Sequence, residues 1–154
     1  MLKAMTPEFN KVLSDWLEFN DQKYALQISK AQGIPTHFQY AGVLYRGMTV
    51  NDDFLNNLNN GKVKFDNLTS WTTDKKLAIK FATDPKYRLG DKKGKQILIT
   101  KKFTKTQTIL DIYNYCLFTG DWAFDELAYD SAMNEKEVLV KKGVKILPKD
   151  VEFF

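Results

Sequence analysis

The sequence predicts an α+β protein, because the signals for helices come first in the chain and the signals for strands follow. Two stretches with apolar residues at helical spacing occupy residues 1–36, and residues 37–154 hold mostly short apolar runs of the strand type, with two short helices between them. Elements in this order favour α+β over a regular alternation of strand and helix. The length of 154 residues suits one domain, made of a helical lobe (1–36) and a core (37–154).

The two N-terminal helices are predicted from their caps and their apolar faces. Thr6-Pro7 supplies an N-cap residue and a first-turn proline. The apolar residues after them recur at helical spacing: Phe9, Val12, Leu13, Trp16 and Leu17. A second helix is expected from Asp21 to Ala31, ended by Gly33 and Pro35. The pattern assigns both helices a packing role and requires no chemistry of them.

Strands dominate the rest of the chain. An extended segment is predicted from His37 to Arg46, which places Arg46 at the end of a strand, just before Gly47. A second strand is expected over residues 62–72, with a kink at 66–67. The other elements expected are a helix capped by Asn51, a helix capped by Thr73 or Asp74, strands at 96–100, 108–112, 144–147 and 151–154, and one short helix with a surface loop in 113–133.

Two glutamates one residue apart, Glu135 and Glu137, open a short apolar strand over residues 134–140. Side chains two residues apart in a strand point to the same face, about 7 Å from each other. Like charges so placed repel. The pair is therefore either a solvated edge or a site that holds a cation.

Composition narrows the classes of protein. Apolar residues make up 44% of the chain and aromatic residues 14%, which excludes a disordered chain. The net charge of +4 comes from interspersed charges without a long basic block, so nucleic acid stays open as a partner but is not indicated. Cys116 is the single cysteine and His37 the single histidine, which excludes an internal disulfide, a thiolate zinc site and a multi-histidine metal site.

The N-terminus breaks its apolar residues with polar ones, so it lacks the continuous apolar core of a signal peptide. No stretch of the sequence reaches membrane-spanning length. We therefore expect a cytoplasmic protein without a membrane partner.

Three motifs occur in order between residues 44 and 140. They are Leu44-Tyr45-Arg46-Gly47; Leu68-Thr69-Ser70-Trp71-Thr72, followed by a helix with Ala78 and Phe81; and Glu135-Lys136-Glu137-Val138-Leu139. In order, spacing and setting they resemble the NAD-dependent mono-ADP-ribosyltransferases of the Arg-Ser-Glu class, which include the clostridial binary toxin enzymes and phage-encoded modifying enzymes. The second motif departs from the family's Ser-Thr-Ser pattern. Its first serine is kept, and Thr72 must supply the second hydroxyl.

The resemblance implies a fold of two packed, mainly antiparallel sheets with an NAD cleft between them. It also implies transfer of ADP-ribose from NAD to a protein side chain, with release of nicotinamide and without a metal. NAD is then a substrate rather than a resident cofactor.

By the same resemblance, the catalytic residues are Glu137, Glu135 and Ser70. The residues that bind NAD are Arg46, Gly47, Ser70, Thr72, Phe81 and Arg88. The chemistry fits these residue types, because an arginine meets a pyrophosphate with paired donors. A fixed carboxylate stabilises the positive charge that builds on ribose as its bond to nicotinamide breaks. Ser70 would hold Glu137 in position, and the Gly47 amide would hold the nicotinamide carboxamide.

The resemblance also implies the acceptor. A glutamate at position 135 goes with arginine as the target, since a carboxylate can orient a guanidinium and help to remove its proton. The loop from Trp122 to Asn134, with Trp122, Phe124 and Tyr129, is expected to face the acceptor protein with an apolar surface. The small size favours a phage-encoded enzyme that modifies a host protein in the host cytoplasm.

Alternatives stay open at this point. Phe81 could pack in the core, and Lys86 and Arg88 could belong to a solvated basic loop rather than to a pyrophosphate site. The same core could hydrolyse NAD with water as the acceptor, modify nucleic acid, or serve as a non-catalytic module that binds a partner.

Overall fold

The helical lobe comes first in the chain, as the sequence predicts. The computed structural model describes residues 1–86 and 93–154. Helix α1 spans Pro7–Phe19, and the Thr6 hydroxyl caps it by accepting a hydrogen bond from the Phe9 amide. Helix α2 spans Gln22–Ser29 and is capped by Asp21. A parallel bridge between Lys3 and Gln32 ties the two ends of this lobe together.

The remaining elements confirm the α+β class. The other described helices are α3 (Asp52–Asn59), α4 (Lys75–Thr83), α5 (Ile112–Thr119) and α6 (Glu126–Glu135). The described strands are β1 (Gly42–Val50), β2 (Val63–Phe65), β3 (Thr69–Thr72), β4 (Lys95–Phe103), β5 (Thr108–Asp111), β6 (Glu137–Val140), β7 (Val144–Ile146) and β8 (Val151–Phe153). Short 3₁₀ turns lie at Thr36–Phe38, Lys105–Gln107, Asp121–Ala123 and Pro148–Asp150.

Six of the described strands form one antiparallel sheet in the order β5-β6-β3-β1-β4-β8. Its longest ladder joins β1 to β4 over nine residue pairs, from Gly42 opposite Phe103 to Val50 opposite Lys95. Strands β2 and β7 form a separate antiparallel pair.

Each face of the large sheet carries its own apolar core. Helices α1, α2, α5 and α6 contribute to the core on one face, and β2, β7 and α3 contribute to the core on the other. The central strand β6 serves both cores, since Leu139 packs into the first and Val138 and Val140 into the second. All four residues of β6 are buried, as expected for a strand covered on both faces.

Some assignments made from the sequence are wrong in detail. The extended segment predicted from His37 to Arg46 is wrong at both ends: His37 lies in a 3₁₀ turn, and β1 runs from Gly42 to Val50, so that Arg46 lies within the strand. The kink expected at 66–67 is a break between β2 and β3, which belong to different sheets. Residues 113–133 hold most of two helices, α5 and α6, where one was expected.

Gly47 lies within β1, although a glycine at this place in the sequence suggested a turn. A Cβ atom at this position would lie 1.6 Å from the carbonyl oxygen of Ala78 in α4. The missing side chain therefore lets α4 lie directly on β1, while Gly47 keeps its place in the ladder opposite Leu98.

Candidate functional site

One pocket of about 300 Å³ collects the residues that the sequence singles out. Seven of the eight predicted site residues line it: Arg46, Gly47, Ser70, Thr72, Phe81, Glu135 and Glu137. The eighth, Arg88, lies outside the described residues. The sequence motifs thus converge in space although they are spread over about ninety residues, from 46 to 137.

The pocket opens beside the place where β1 and β3 meet. Within the described residues, the register between these strands contains a single pair, Tyr45 with Thr72. The next residue of β1, Arg46, sends its side chain across to β3, where Nη1 donates to the Ser70 carbonyl oxygen at 2.6 Å. A side chain thus joins the two strands where the ladder stops.

Arg46 is a half-buried cation with an unused donor. Its Nε atom is buried and has no hydrogen-bond partner in the part of the chain that the structure describes. No described carboxylate forms an ion pair with it. Burial lowers the pKa of Arg46 to about 10, and the nearby Glu137 opposes this shift. The guanidinium therefore stays charged at neutral pH and can bind an anion.

Glu137 is the first residue of β6, and its side chain is 4% exposed. Its Oε2 atom accepts a hydrogen bond from Nε1 of Trp16 at 3.0 Å. The pKa of Glu137 is raised to about 7, first by burial and also by the charge of Glu135. Hydrogen bonds from the Ser70 hydroxyl and from Trp16, and the charge of Arg46, lower the same pKa. Near neutral pH this carboxyl group therefore changes between its neutral and its charged form.

Glu135 reaches the pocket by a route that the sequence did not predict. It is the last residue of α6 rather than the first part of a strand, and Lys136, with φ at +48°, makes the turn into β6. The two carboxylates are therefore not related by strand alternation. The end of a helix and the start of a strand bring them to one pocket, and burial raises the pKa of Glu135 while a hydrogen bond from Ser131 lowers it.

Thr72 supports this turn. Its hydroxyl donates to the main-chain oxygen of Glu135 at 2.8 Å and accepts from the amide of Asp74 at 3.0 Å. The residue is 4% exposed. Its hydroxyl therefore ties the α6–β6 turn to the segment that leads into α4, which is a supporting role for the pocket wall.

Gly47 and Phe81 form the wall that α4 makes with β1. Both line the pocket. The close approach that requires a glycine at position 47 is that of the Ala78 carbonyl, so packing within the fold accounts for this residue without a ligand.

Three residues of the helical lobe also line the pocket, although the sequence assigned this lobe to packing alone. They are Trp16, Asn20 and Gln22. Trp16 was the one residue of this lobe that could have indicated a polar neighbour, since a buried indole N–H needs a hydrogen-bond acceptor. The resemblance implied a cleft between two sheets. Within the described chain, however, no residue that lines the pocket comes from β2 or β7, so the pocket does not lie between the two sheets. It lies on the large sheet, under the helices.

The segment expected to face an acceptor is only partly exposed. Trp122 is 83% exposed, in the turn that precedes α6. Phe124 and Tyr129 pack against the helical core. Both are half-buried, so of the three only Trp122 projects fully into solvent, and the acceptor-facing surface stays a prediction.

No protein-family model matches the chain, and comparison with curated proteins and with solved structures gave no match either. Among residues 1–86 and 93–154, no helix has the length and apolar character needed to cross a membrane. The described residues also contain no cluster of three or more His, Cys, Asp or Glu side chains placed to hold a metal ion.

The arrangement combines two opposite electrostatic features in one small space. Arg46 offers a charged donor group for an anion, and Glu135 and Glu137 offer negative charge to a cation or to a centre that becomes positive. A ligand with an anionic group close to an electrophilic carbon meets both features.

Proposed function

We propose that this protein is an NAD-dependent mono-ADP-ribosyltransferase that transfers ADP-ribose to an arginine side chain of another protein. The observation that carries the proposal is the meeting of Arg46 and Glu137 in one pocket, with Nε of Arg46 buried and unpartnered among the described residues. The order of the three sequence motifs supports the same assignment.

Arg46 binds the pyrophosphate of NAD. Its Nη1 is held by the Ser70 carbonyl, so the guanidinium plane has a fixed direction. The anionic pyrophosphate pairs with this half-buried guanidinium, to which no described carboxylate is ion-paired. A pocket of about 300 Å³ is small for a dinucleotide, so it takes the nicotinamide ribose end and leaves the adenosine end outside.

Glu137 acts on the ribose. As the bond between the ribose C1 and the nicotinamide nitrogen breaks, nicotinamide leaves with the bonding electron pair and positive charge develops on the sugar. The ionised Glu137 carboxylate stabilises that charge in a buried site, where such an interaction is strong. The Ser70 hydroxyl helps to hold the carboxylate in this state.

Glu135 receives the acceptor. A guanidinium nitrogen of the target arginine attacks the ribose C1 and forms the new carbon–nitrogen bond, and Glu135 accepts the proton that this nitrogen loses. Its raised pKa makes it a better proton acceptor than an exposed glutamate.

The test uses NAD labelled separately in nicotinamide and in the adenylate, incubated with the purified protein and a cell lysate. Glu137→Gln should lower nicotinamide release by about 10² to 10³. Glu135→Gln should retain nicotinamide release but lose labelling of protein. Glu126→Gln, at the exposed opposite end of α6, is the matched control and should behave like the unmodified protein.

The outcomes separate the alternatives. Adenylate label on protein that depends on both Glu137 and Glu135 supports transfer. Loss of NAD without labelled protein, even with lysate present, shows hydrolysis instead. Label that is removed by nuclease and not by protease shows nucleic acid as the acceptor. No release of nicotinamide by the unmodified protein overturns the enzymatic assignment.

A further inference from the structure

The helical lobe makes a direct contact with the proposed catalytic carboxylate. Nε1 of Trp16 in α1 donates a hydrogen bond to Oε2 of Glu137 at 3.0 Å. The two residues lie 121 positions apart in the sequence, and their side chains are 6% and 4% exposed. An indole N–H can only donate, so it always presents a donor to this oxygen.

A carboxylate is an unusual partner for a tryptophan that is buried only for packing. The second buried tryptophan of the pocket wall, Trp71, donates its N–H to the Thr69 hydroxyl at 2.8 Å, which satisfies the indole without any charged group. Trp16 instead engages the group whose ionisation the proposed reaction needs. Together with the Ser70 hydroxyl, it gives Glu137 neutral donors from two different elements, α1 and β3.

The charged and titratable groups that face Glu137 come from three other elements. Arg46 in β1 favours the ionised carboxylate, and Glu135 at the end of α6 opposes it. Cys116 in α5 is buried, and its thiol pKa is raised to about 12, first by burial and then by the charges of Glu137 and Asp111, so it stays neutral. The hydrogen bond from Trp16 therefore adds to Arg46 and Ser70 in holding the negative charge.

We infer that Trp16 is a positioning residue of the site: its indole N–H orients the Glu137 carboxylate toward the ribose and holds it in the ionised form. This inference rests on the NAD chemistry proposed above. It assigns to α1 a part in the reaction, since α1 carries the donor while β6 carries the acceptor.

The test replaces Trp16 by phenylalanine, which keeps an aromatic ring and removes the donor. The matched control is Tyr115→Phe. The Tyr115 hydroxyl donates to Oδ1 of Asn10 at 2.6 Å, a buried hydrogen bond that also fastens α1 to the core but does not touch Glu137. Any effect of a looser α1 should therefore occur in both variants.

Two readouts are needed. The first is the titration of the Glu137 side-chain carboxyl by ¹³C NMR in protein labelled at glutamate, with the Glu137 signal assigned by its loss in Glu137→Gln. The second is the pH profile of nicotinamide release from NAD, with kcat and KM measured separately. The first readout does not require the protein to turn over NAD.

We expect Trp16→Phe to raise the midpoint of the Glu137 titration by about one pH unit or more, because a donor to the charged form is lost. The acid limb of the kcat profile should move up by the same amount. At a pH where Glu137 is ionised in both proteins, kcat should remain lower by about ten- to a hundredfold, since the carboxylate is no longer oriented, and KM should be unchanged. Tyr115→Phe should show neither change.

A titration midpoint in Trp16→Phe equal to that in Tyr115→Phe overturns the inference, and so do equal kcat profiles of the two variants. If the unmodified protein releases no nicotinamide, the proposed function fails and with it the role of Trp16 toward ribose. The NMR titration then still decides whether Trp16 holds the charge on Glu137.

Discussion

Arg46 and Ser70 are joined by a hydrogen bond of 2.6 Å from a guanidinium nitrogen to a main-chain oxygen. This bond crosses from β1 to β3 beside their single described register pair, Tyr45 with Thr72. It orients a half-buried guanidinium and leaves its buried Nε without a partner among the described residues. The same residue therefore supports the sheet and lines the pocket with its positive charge.

Arg46→Lys should weaken NAD binding while it keeps the positive charge. A lysine cannot donate both to the Ser70 carbonyl and, in a fixed plane, to a phosphate oxygen. The loss of one hydrogen bond to a charged group predicts a KM for NAD that is higher by about tenfold or more. Steady-state nicotinamide release measures it. Lys102→Arg, at an exposed position on β4, is the control for exchanging one basic residue for the other. An unchanged KM for NAD in Arg46→Lys would contradict the role of the guanidinium.

Glu137→Gln should make the protein more stable at high pH. The folded-state pKa of Glu137 is raised to about 7 from its ordinary value, first by burial. Between the ordinary pKa and 7 the folded state holds a proton that the unfolded state has lost, so the contribution of this group to stability falls as pH rises through that window. The amide has no such titration. The difference in the free energy of unfolding between the two proteins should therefore grow by about 2 to 3 kcal/mol between pH 5 and pH 8.

Urea unfolding at both pH values measures this difference. At pH 8 the glutamine variant should have the higher free energy of unfolding. This result would indicate that the site keeps a buried carboxylate at the expense of stability. A difference that stays the same at pH 5 and pH 8 would show that Glu137 does not titrate in this range in the folded protein.

Gly47→Ala should destabilise the fold through α4. The added Cβ would lie 1.6 Å from the Ala78 carbonyl oxygen, a main-chain atom that cannot move without its helix. We expect a loss of about 3 kcal/mol or more in the free energy of unfolding, measured by urea unfolding. Gly33→Ala is the comparison, because its Cβ would meet nothing within 4 Å and its φ of +78° costs only about 1 to 2 kcal/mol. Equal losses in both variants would contradict the packing explanation for Gly47.

Thr72→Val should loosen the turn that carries Glu135. The valine has the same shape but leaves the main-chain oxygen of Glu135 and the amide of Asp74 without the hydroxyl that now pairs with both. A loss of about 1 to 3 kcal/mol in the free energy of unfolding is expected, and Thr72→Ser should recover most of it. If valine and serine variants have the same stability, the hydroxyl does not support this turn.

The sequence predicted the composition of the site better than its geometry. Arg46, Ser70 and Glu137 could be named because their motifs resemble those of the Arg-Ser-Glu ADP-ribosyltransferases, and the chemistry of such a site fits these residue types. The position of Glu135 could not be predicted, because it depends on Lys136 adopting a left-handed conformation that lysine does not favour. The predicted end of β1 was wrong because Gly47 allows close packing of a helix and does not form a turn.

The contact of Trp16 with the site was not predicted from the sequence, for a different reason. Its spacing with Phe9 and Leu13 marks it as a core residue of an amphipathic helix, and it is indeed buried. Its partner Glu137 is 121 residues away, and no local pattern indicates a contact of that separation. The general class of the fold was predictable because it depends only on the order of helices and strands.

The pH dependence of nicotinamide release from NAD decides whether Glu137 is the catalytic carboxylate. We expect the purified protein to release nicotinamide catalytically, with a kcat that rises with pH through a midpoint near 7, where Glu137 becomes ionised. Glu137→Gln should lower kcat by about 10² to 10³ at every pH above this midpoint. Failure of the folded, unmodified protein to release nicotinamide, or an equal rate in Glu137→Gln, would contradict this role of Glu137.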